Sequence, residues 1–264
     1  MISIDRFRFA VFSLAFSQLI ATLGFAPITR ASSMMLLGNE YAIEFNHPVD
    51  RGAPDVVIGG ATRCPPSFSF TPLLPIDTSR DYGDISPPYF SLTVRPNPTF
   101  WLHVPKNVTE IVFEIFEYDT AGREGRGKDG ALIYSTFLDV PNADSFVSFS
   151  LPSDVDLQPG KIYRWYMDIV VGHGRDLEIV STPGWIERVE VSPELGRELA
   201  RVKTSLDRAR VYAEAGIWHD AFEILVQEER LEDTPELEAE WEELLRSALG
   251  EQLPLPDVRG FLKC

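Results

Sequence analysis

The sequence predicts a mainly β fold followed by a helical region, and three observations predict it. Between Pro88 and Val191, short apolar runs alternate with turn formers. Beyond Val191 the apolar spacing changes to that of helices. Residues 157–171 carry the strongest strand signal in the chain. There Leu157-Gln158-Pro159-Gly160 makes a turn. Tyr163, Trp165, Met167, Ile169 and Val171 then alternate with Arg164, Tyr166, Asp168 and Val170, the period of a half-buried antiparallel strand. The Leu-x-Pro-Gly-x-x-Tyr spacing ending at Tyr163 resembles a tyrosine corner, whose hydroxyl holds backbone a few residues upstream in immunoglobulin-like sandwiches. The expected fold is therefore an immunoglobulin-like β-sandwich with a C-terminal helical hairpin region.

The candidate strands are Tyr89 to Arg95, Thr99 to Val104, Glu110 to Tyr118, Ala131 to Val140, Ser145 to Leu151, Lys161 to Val171 and Leu177 to Val191. Both parities of the Glu110–Tyr118 run are apolar, which predicts a strand covered on two faces. Ser192-Pro193-Glu194 is a helix start, with a capping hydroxyl, a proline at the first position and an acid in the first turn. Thr204 or Ser205 caps a second helix that Gly216 ends. A third helix runs from Ile217 to Arg230. Thr234-Pro235 opens a fourth, with a stripe of Leu237, Trp241, Leu244, Leu245 and Ala248 that Gly250 closes.

The domain layout expected is 1–31 signal segment, 32–87 irregular leader, 88–191 sandwich, 192–250 helical region packed on the sandwich and 251–264 proline-rich tail. Arg6 and Arg8 followed by a mostly apolar run from Phe9 to Ala26 have the form of a secretory signal, with cleavage after Ala31. An uncleaved anchor is the alternative. The expected location is thus the periplasm or cell envelope, with membrane contact only through that segment if it is retained. A net charge of -16 over 264 residues disfavours nucleic acid, which needs lysine and arginine to displace counterions. Cys64 and Cys264, the two cysteines, make neither a disulfide framework nor a zinc motif; whether they pair is left open.

Few residues suggest chemistry. The glycine-rich stretch 119–130, with Arg123, Arg126 and Lys128, separates two strands, where a hairpin loop rather than a phosphate cradle is expected. Asp77, Ser79, Asp81 and Asp84 share a polar loop, but Tyr82 and Pro88 stand where an EF-hand needs Gly and Glu. A solvated loop is expected there. The acids between Glu228 and Glu243 read as the wet face of the helices. His47, His103, His173 and His219 share no metal spacing, and His103 and His219 read as structural. His173 with Asp176 is the one pair to test for catalysis. No cofactor or metal is expected. Phe100, Trp101, Tyr163, Trp165, Tyr166 and Trp185 outnumber what one face of a small core takes. Trp101, Tyr166 and Trp185 are therefore candidates for stacking on a sugar or anchoring a partner, unless the core or a docked helix covers them.

The segment Ala209-x-x-Tyr212-x-x-x-Gly216-x-Trp218-x-x-Ala221 resembles one tetratricopeptide repeat, in which small residues let two helices approach and aromatics wedge between them. A lone pair of that kind is read as structural, with Tyr163, Trp165, Tyr212, Gly216, Trp218 and Trp241 as its framework and that of the sandwich; a partner-binding groove is the alternative.

Several segments together resemble the mostly cyanobacterial domain-of-unknown-function family numbered 928. They are Asn97 to Pro105, Gly160-Lys161-x-Tyr163-x-Trp165-Tyr166, Gly184 to Val189, Ser192 to Leu195 and Tyr212-Ala213-x-x-Gly216-Ile217-Trp218-His219-Asp220-Ala221, within about residues 52 to 250. The resemblance implies an exported protein and brings no known activity, cofactor or catalytic residue. Relatives often carry a cysteine where this chain has Val171 and Gly172. The disulfide that the resemblance implies with Cys64 is then unavailable, which leaves Cys64 free or paired with Cys264. The function expected is a non-enzymatic envelope binding or scaffold module for a protein or glycan partner. A glycan-active hydrolase using acidic residues is the alternative.

Overall fold

Residues 42–54, 71–79, 81, 87–120, 127–142, 145–172, 177–231 and 234–249 are described by the computed structural model. The signal segment, Cys64, Asp84, loop residues 121–126, His173 with Asp176, acids Glu232 and Asp233, and the tail with Cys264 lie outside the described residues. No described helix is long and apolar enough to cross a membrane.

The chain is mainly β, with four helices following eight strands among the described residues. The strands are β1 (Thr71–Pro72), β2 (Tyr89–Thr93), β3 (Thr99–Val104), β4 (Val108–Asp119), β5 (Lys128–Leu138), β6 (Ser145–Ser150), β7 (Lys161–Val171) and β8 (Glu178–Arg188). They form a three-stranded sheet ordered β1-β3-β6 and a five-stranded sheet ordered β2-β8-β7-β4-β5. Every pairing is antiparallel except β2 with β8, which run parallel from Tyr89↔Gly184 to Thr93↔Arg188.

The alternation of β7 resolves as its sequence dictates. Tyr163, Trp165, Met167, Ile169 and Val171 are buried, while the opposite parity is only half-buried. Phe100 of β3 meets Phe113 of β4 at 4.9 Å and Trp165 at 6.1 Å, and Phe113 meets Phe149 of β6 at 4.3 Å. One apolar layer thus joins the two sheets. Gly184 is required beside it, because a Cβ there would stand 2.0 Å from the Trp165 indole.

Before β7, the Tyr163 hydroxyl accepts a hydrogen bond from the Gln158 backbone N–H at 2.7 Å, the contact a tyrosine corner makes. Tyr163→Phe is expected to lower stability by roughly 0.5–1.5 kcal/mol without changing the fold, as one net hydrogen bond is lost. Urea denaturation midpoints measure it; an unchanged midpoint contradicts the role.

The helices are α1 (Pro193–Arg201), α2 (Ser205–Glu214), α3 (Trp218–Leu231) and α4 (Pro235–Leu249). Their starts are set by local hydrogen bonds: Ser192 accepts from Leu195 N–H at 3.1 Å, Thr204 from Asp207 N–H at 3.0 Å and Thr234 from Leu237 N–H at 3.2 Å. The α4 stripe of Leu237, Trp241, Leu244, Leu245 and Ala248 is buried throughout.

Part of the segment expected as an irregular leader is an extended strap across these helices. Ile43 and Phe45 are buried and Glu44 is exposed, the alternation of a strand. Ile43 N–H donates to Glu240 at 2.5 Å, Phe45 N–H to Ser247 Oγ at 2.8 Å and Asn46 N–H to the Ala213 carbonyl at 3.1 Å. Side chains of α4 and the end of α2 thereby replace the partner strand that such backbone would otherwise need.

Candidate functional site

Two arrangements contain groups able to do chemistry or recognition. The first begins at the turn between α2 and α3. Gly216 sits at φ +71°, where its N–H bonds the Ala213 carbonyl (3.0 Å) and Ile217 N–H bonds that of Tyr212 (2.8 Å). This left-handed residue ends α2 and turns α3 onto the sheets. A Cβ at Gly216 would also lie 2.8 Å from the Asn46 carbonyl oxygen. Gly216→Ala is expected to cost at least about 1–2 kcal/mol, the left-handed penalty alone. A thermal melt reads it; a melt matching the parent would contradict this account of the turn.

The next residues each find a partner in a different layer. Trp218 Nε1–H donates to the Leu73 carbonyl at 2.9 Å, and its ring stacks on Phe222 at 4.9 Å. His219 places Nδ1 2.9 Å from the Thr99 carbonyl on β3 and Nε2 2.9 Å from Ser91 Oγ on β2. A carbonyl only accepts, so Nδ1 carries the proton and Nε2 accepts from the serine hydroxyl. One neutral imidazole therefore bridges both sheets from a helix. Burial pushes its pKa down to about 4. Asp220 accepts from Thr93 Oγ1 at 2.9 Å and from Val94 N–H at 3.0 Å, and Arg95 Nε lies 3.2 Å away. Burial pushes the Asp220 carboxyl pKa up, against the downward pull of those hydrogen bonds and of Arg95.

A serine hydroxyl on a histidine nitrogen has the hydrogen bond of a nucleophile and its base. Here it is closed to substrate: Ser91 is 1% exposed, His219 4% and Asp220 1%. The carboxylate orienting a catalytic histidine is replaced by a backbone carbonyl. The arrangement is a polar rivet, and the structural reading of His219 is the one its geometry fits. Sequence reasoning missed the pairing of Ser91 with His219 and of Thr93 with Asp220. The two pairs join β2 to α3 across 128 and 127 residues, so only space brings them together, although the run Gly216 to Ala221 stood out as a segment.

The second arrangement is the outer face of β7, β4 and β5. Register places Arg164, Tyr166, Asp168 and Val170 of β7 beside Phe116, Glu114, Val112 and Glu110 of β4; beyond them come Leu132, Ser135 and Phe137 of β5. Ile179 of β8 pairs with Val170. Leu132, Phe137 and Ile179, which share this face, are among the few large apolar residues exposed in the described chain, at 51%, 70% and 68%. α1 covers the end of the sheet that carries Ile162 and Trp185, through Leu195 and Leu199, while Leu132, Phe137 and Ile179 stay exposed. Phe222 of α3 meets Trp101 of β3, and α3 docks on β2 and β3.

At one end of this face Tyr166 donates its hydroxyl to Asp129 at 2.7 Å and meets Phe116 edge-on at 5.8 Å. The Arg164 guanidinium lies over both the Tyr166 and Trp185 rings, at 4.9 Å each, and 3.6 Å from Asp129. Burial and the bond to Asp129 push the Tyr166 hydroxyl pKa up.

These positions correct the expected set of open aromatics. Trp101 is buried because α3 covers the outer side of β3. Trp185 is buried in a second apolar cluster with Ala53, Phe90, Leu92, Tyr118, Leu195 and Ile217. Tyr166 does lie on the open face, but one ring face is under Arg164 and its hydroxyl is engaged, so it is poorly placed to stack on a sugar. Tyr163, Trp165, Trp218 and Trp241 are buried, and Tyr212 is half-buried beside the core. Asp77, expected in a solvated loop, is 3% exposed and holds Ala53 N–H at 2.7 Å and Ser79 N–H at 2.8 Å, so its oxygens serve backbone. Among the described residues no group of three or more His, Cys, Asp or Glu is arranged to hold a metal.

The chain is matched over residues 58–253 by the family described as Domain of Unknown Function (DUF928), and it belongs to that family. No curated protein matches it. Among solved structures it is similar to a chain of the CsuC–CsuE chaperone–tip adhesion subunit pre-assembly complex from the archaic chaperone-usher Csu pili of Acinetobacter baumannii. The identity is 14% and the TM-score 0.28, over 50% of this chain and 58% of that chain's length. A likeness of that degree assigns this chain neither a role nor a partner.

Proposed function

We propose that this protein is an exported, non-enzymatic binding or scaffold module of the cell envelope, with a partner macromolecule docking on the outer face of β7, β4 and β5. In this reading the two sheets form an immunoglobulin-like sandwich, and α2 with α3 is a tetratricopeptide-like helix pair fixed to it as framework. Export rests on the Arg6/Arg8 region and the apolar run after it. The observation that carries the binding role is that three of the six large apolar residues exposed among the described residues, Leu132, Phe137 and Ile179, lie on this one sheet face, since apolar side chains gathered on one surface mark interaction sites.

Glycan hydrolysis by paired carboxylates has less support. The acids whose pKa burial raises, Glu187, Asp220 and Glu240, each sit against an arginine (Arg51, Arg95 and Arg210) inside the fold rather than opposed across a cleft. The test is a pull-down from envelope extract with tagged mature protein, parent against a Phe137→Ser/Ile179→Ser variant. A partner retained by the parent and lost by the variant supports the reading. A partner retained equally by both overturns the site.

A further inference from the structure

The chemistry of the open face narrows the occupant. Glu110 and Glu114 lie on β4 four residues apart, roughly 14 Å at the usual strand rise. Asp168 on the neighbouring strand pairs with Val112 midway between them. The three carboxylates form no ion pair among the described residues; Asp168 is half-buried, and its Oδ1 is buried without a hydrogen-bond partner. Among the described residues Glu114 accepts from Ser135 Oγ alone, at 3.3 Å. Among the described residues the one cation of this face is Arg164, which already lies 3.6 Å from Asp129 and over two aromatic rings. Val112, Val170, Phe137 and Ile179 surround these acids. The surface is therefore apolar with a row of unmatched negative charge.

Resting on the binding role proposed above, we infer that the outer face of β7, β4 and β5 docks an amphipathic helix of a partner protein that presents lysine or arginine along an apolar stripe. A helix laid over a sheet is the ordinary way such a face is covered. Cations at i, i+4 and i+8 are spaced about 6 Å apart along a helix, within reach of acids roughly 8 Å apart given the length of a lysine stem. Leu132, Phe137 and Ile179 then receive the apolar stripe between them. A second copy of this chain does not fit through the same face, because Glu110, Glu114 and Asp168 would meet their own kind. A glycan fits less well, since the exposed apolar side chains apart from Phe137 are aliphatic and the Tyr166 ring is occupied.

The probe is a labelled 18-residue peptide of leucine, alanine and lysine with lysines at i, i+4 and i+8, followed by fluorescence anisotropy at physiological salt. Against the parent protein, Glu110→Gln/Glu114→Gln/Asp168→Asn and Phe137→Ser/Ile179→Ser are each expected to weaken binding at least tenfold. Glu190→Gln/Glu198→Gln/Glu242→Gln removes the same number of charges from exposed positions elsewhere and is expected to stay within twofold. The amide variants are nearly isosteric, and matched melting curves confirm that each protein is folded. Equal loss in the control variant would reduce the effect to net charge and overturn the inference. So would failure of the parent to bind the peptide, or parent binding of cellohexaose that Phe137→Ser/Ile179→Ser abolishes. If the peptide fails while the pull-down still depends on Phe137 and Ile179, the helix is wrong and the binding face stands. If both fail, both readings fall.

Discussion

Trp218→Ala is expected to lower the free energy of unfolding by about 3–5 kcal/mol, the range for removing a large aromatic from a core. Trp218 is 1% exposed and touches three layers at once. Its ring stacks on Phe222 of its own helix and meets Phe45 of the strap edge-on at 5.4 Å. Its N–H satisfies the Leu73 carbonyl beside β1. Alanine leaves a cavity that neither the strap nor the short β1 strand can collapse into without losing its own hydrogen bonds. Chemical denaturation of the two proteins measures the difference, and a loss under 1 kcal/mol would contradict this placement.

The second large effect is on acid stability. His219 titrates near 6.5 when exposed and is pushed down to about 4 in the fold by burial. Between those values the unfolded chain binds a proton that the folded chain refuses. Its contribution is thus intact above pH 6.5 and is lost as pH falls toward 4, by about 3 kcal/mol in total. Asp220, raised from 3.8 by burial, acts in the opposite sense: its protonated form is favoured in the fold, so its contribution is lost as pH rises through its folded pKa. The two are separated by difference. His219→Asn keeps a donor near the Thr99 carbonyl but has no titrating ring. The parent's stability advantage over this variant is expected to shrink by about 3 kcal/mol from pH 7 to pH 4. An advantage that stays constant would contradict the buried neutral imidazole.

What could be read in the sequence was what local chemistry decides. The caps at Ser192, Thr204 and Thr234 and the αL residue Gly216 involve partners within five residues, so the helix limits were legible. The parity of β7 was legible because Tyr163, Trp165 and Met167 sit two apart. Trp101 and Trp185 were not, because they have alternating positions that either face of a sheet would allow. Only the docking of α3 on β3, and the closing of Ala53, Leu195 and Ile217 over Trp185, put them inside. On the Tyr166 side of the five-stranded sheet that closure reaches only the Trp185 end, and Leu132, Phe137 and Ile179 stay exposed. The strap at Ile43 and Phe45 was invisible for a related reason: its partners, Glu240 and Ser247, are 197 and 202 residues away. Residues flanked by proline and glycine carry little pattern of their own, and their order comes from the surface they meet. The parallel pairing of β2 with β8 has no sequence signal either, since two short apolar strands read alike in either direction.

The central claim is that strap, sheets and helices share one core riveted by Trp218, His219 and Asp220, so that on the binding role proposed above a sheet face rather than a helical groove would meet a partner. Urea unfolding of the whole protein, followed at once by helical circular dichroism and by the near-ultraviolet signal of the buried tryptophans, tests it most directly. Trp101, Trp165 and Trp185 put the sheets into the near-ultraviolet signal, to which Trp218 and Trp241 of the helices also contribute, while the far-ultraviolet signal is dominated by the helices. The account predicts one transition with the same midpoint by both signals. A helical signal that melts separately from the tryptophan signal would contradict it, because the helices would then stand as their own unit with an independent surface.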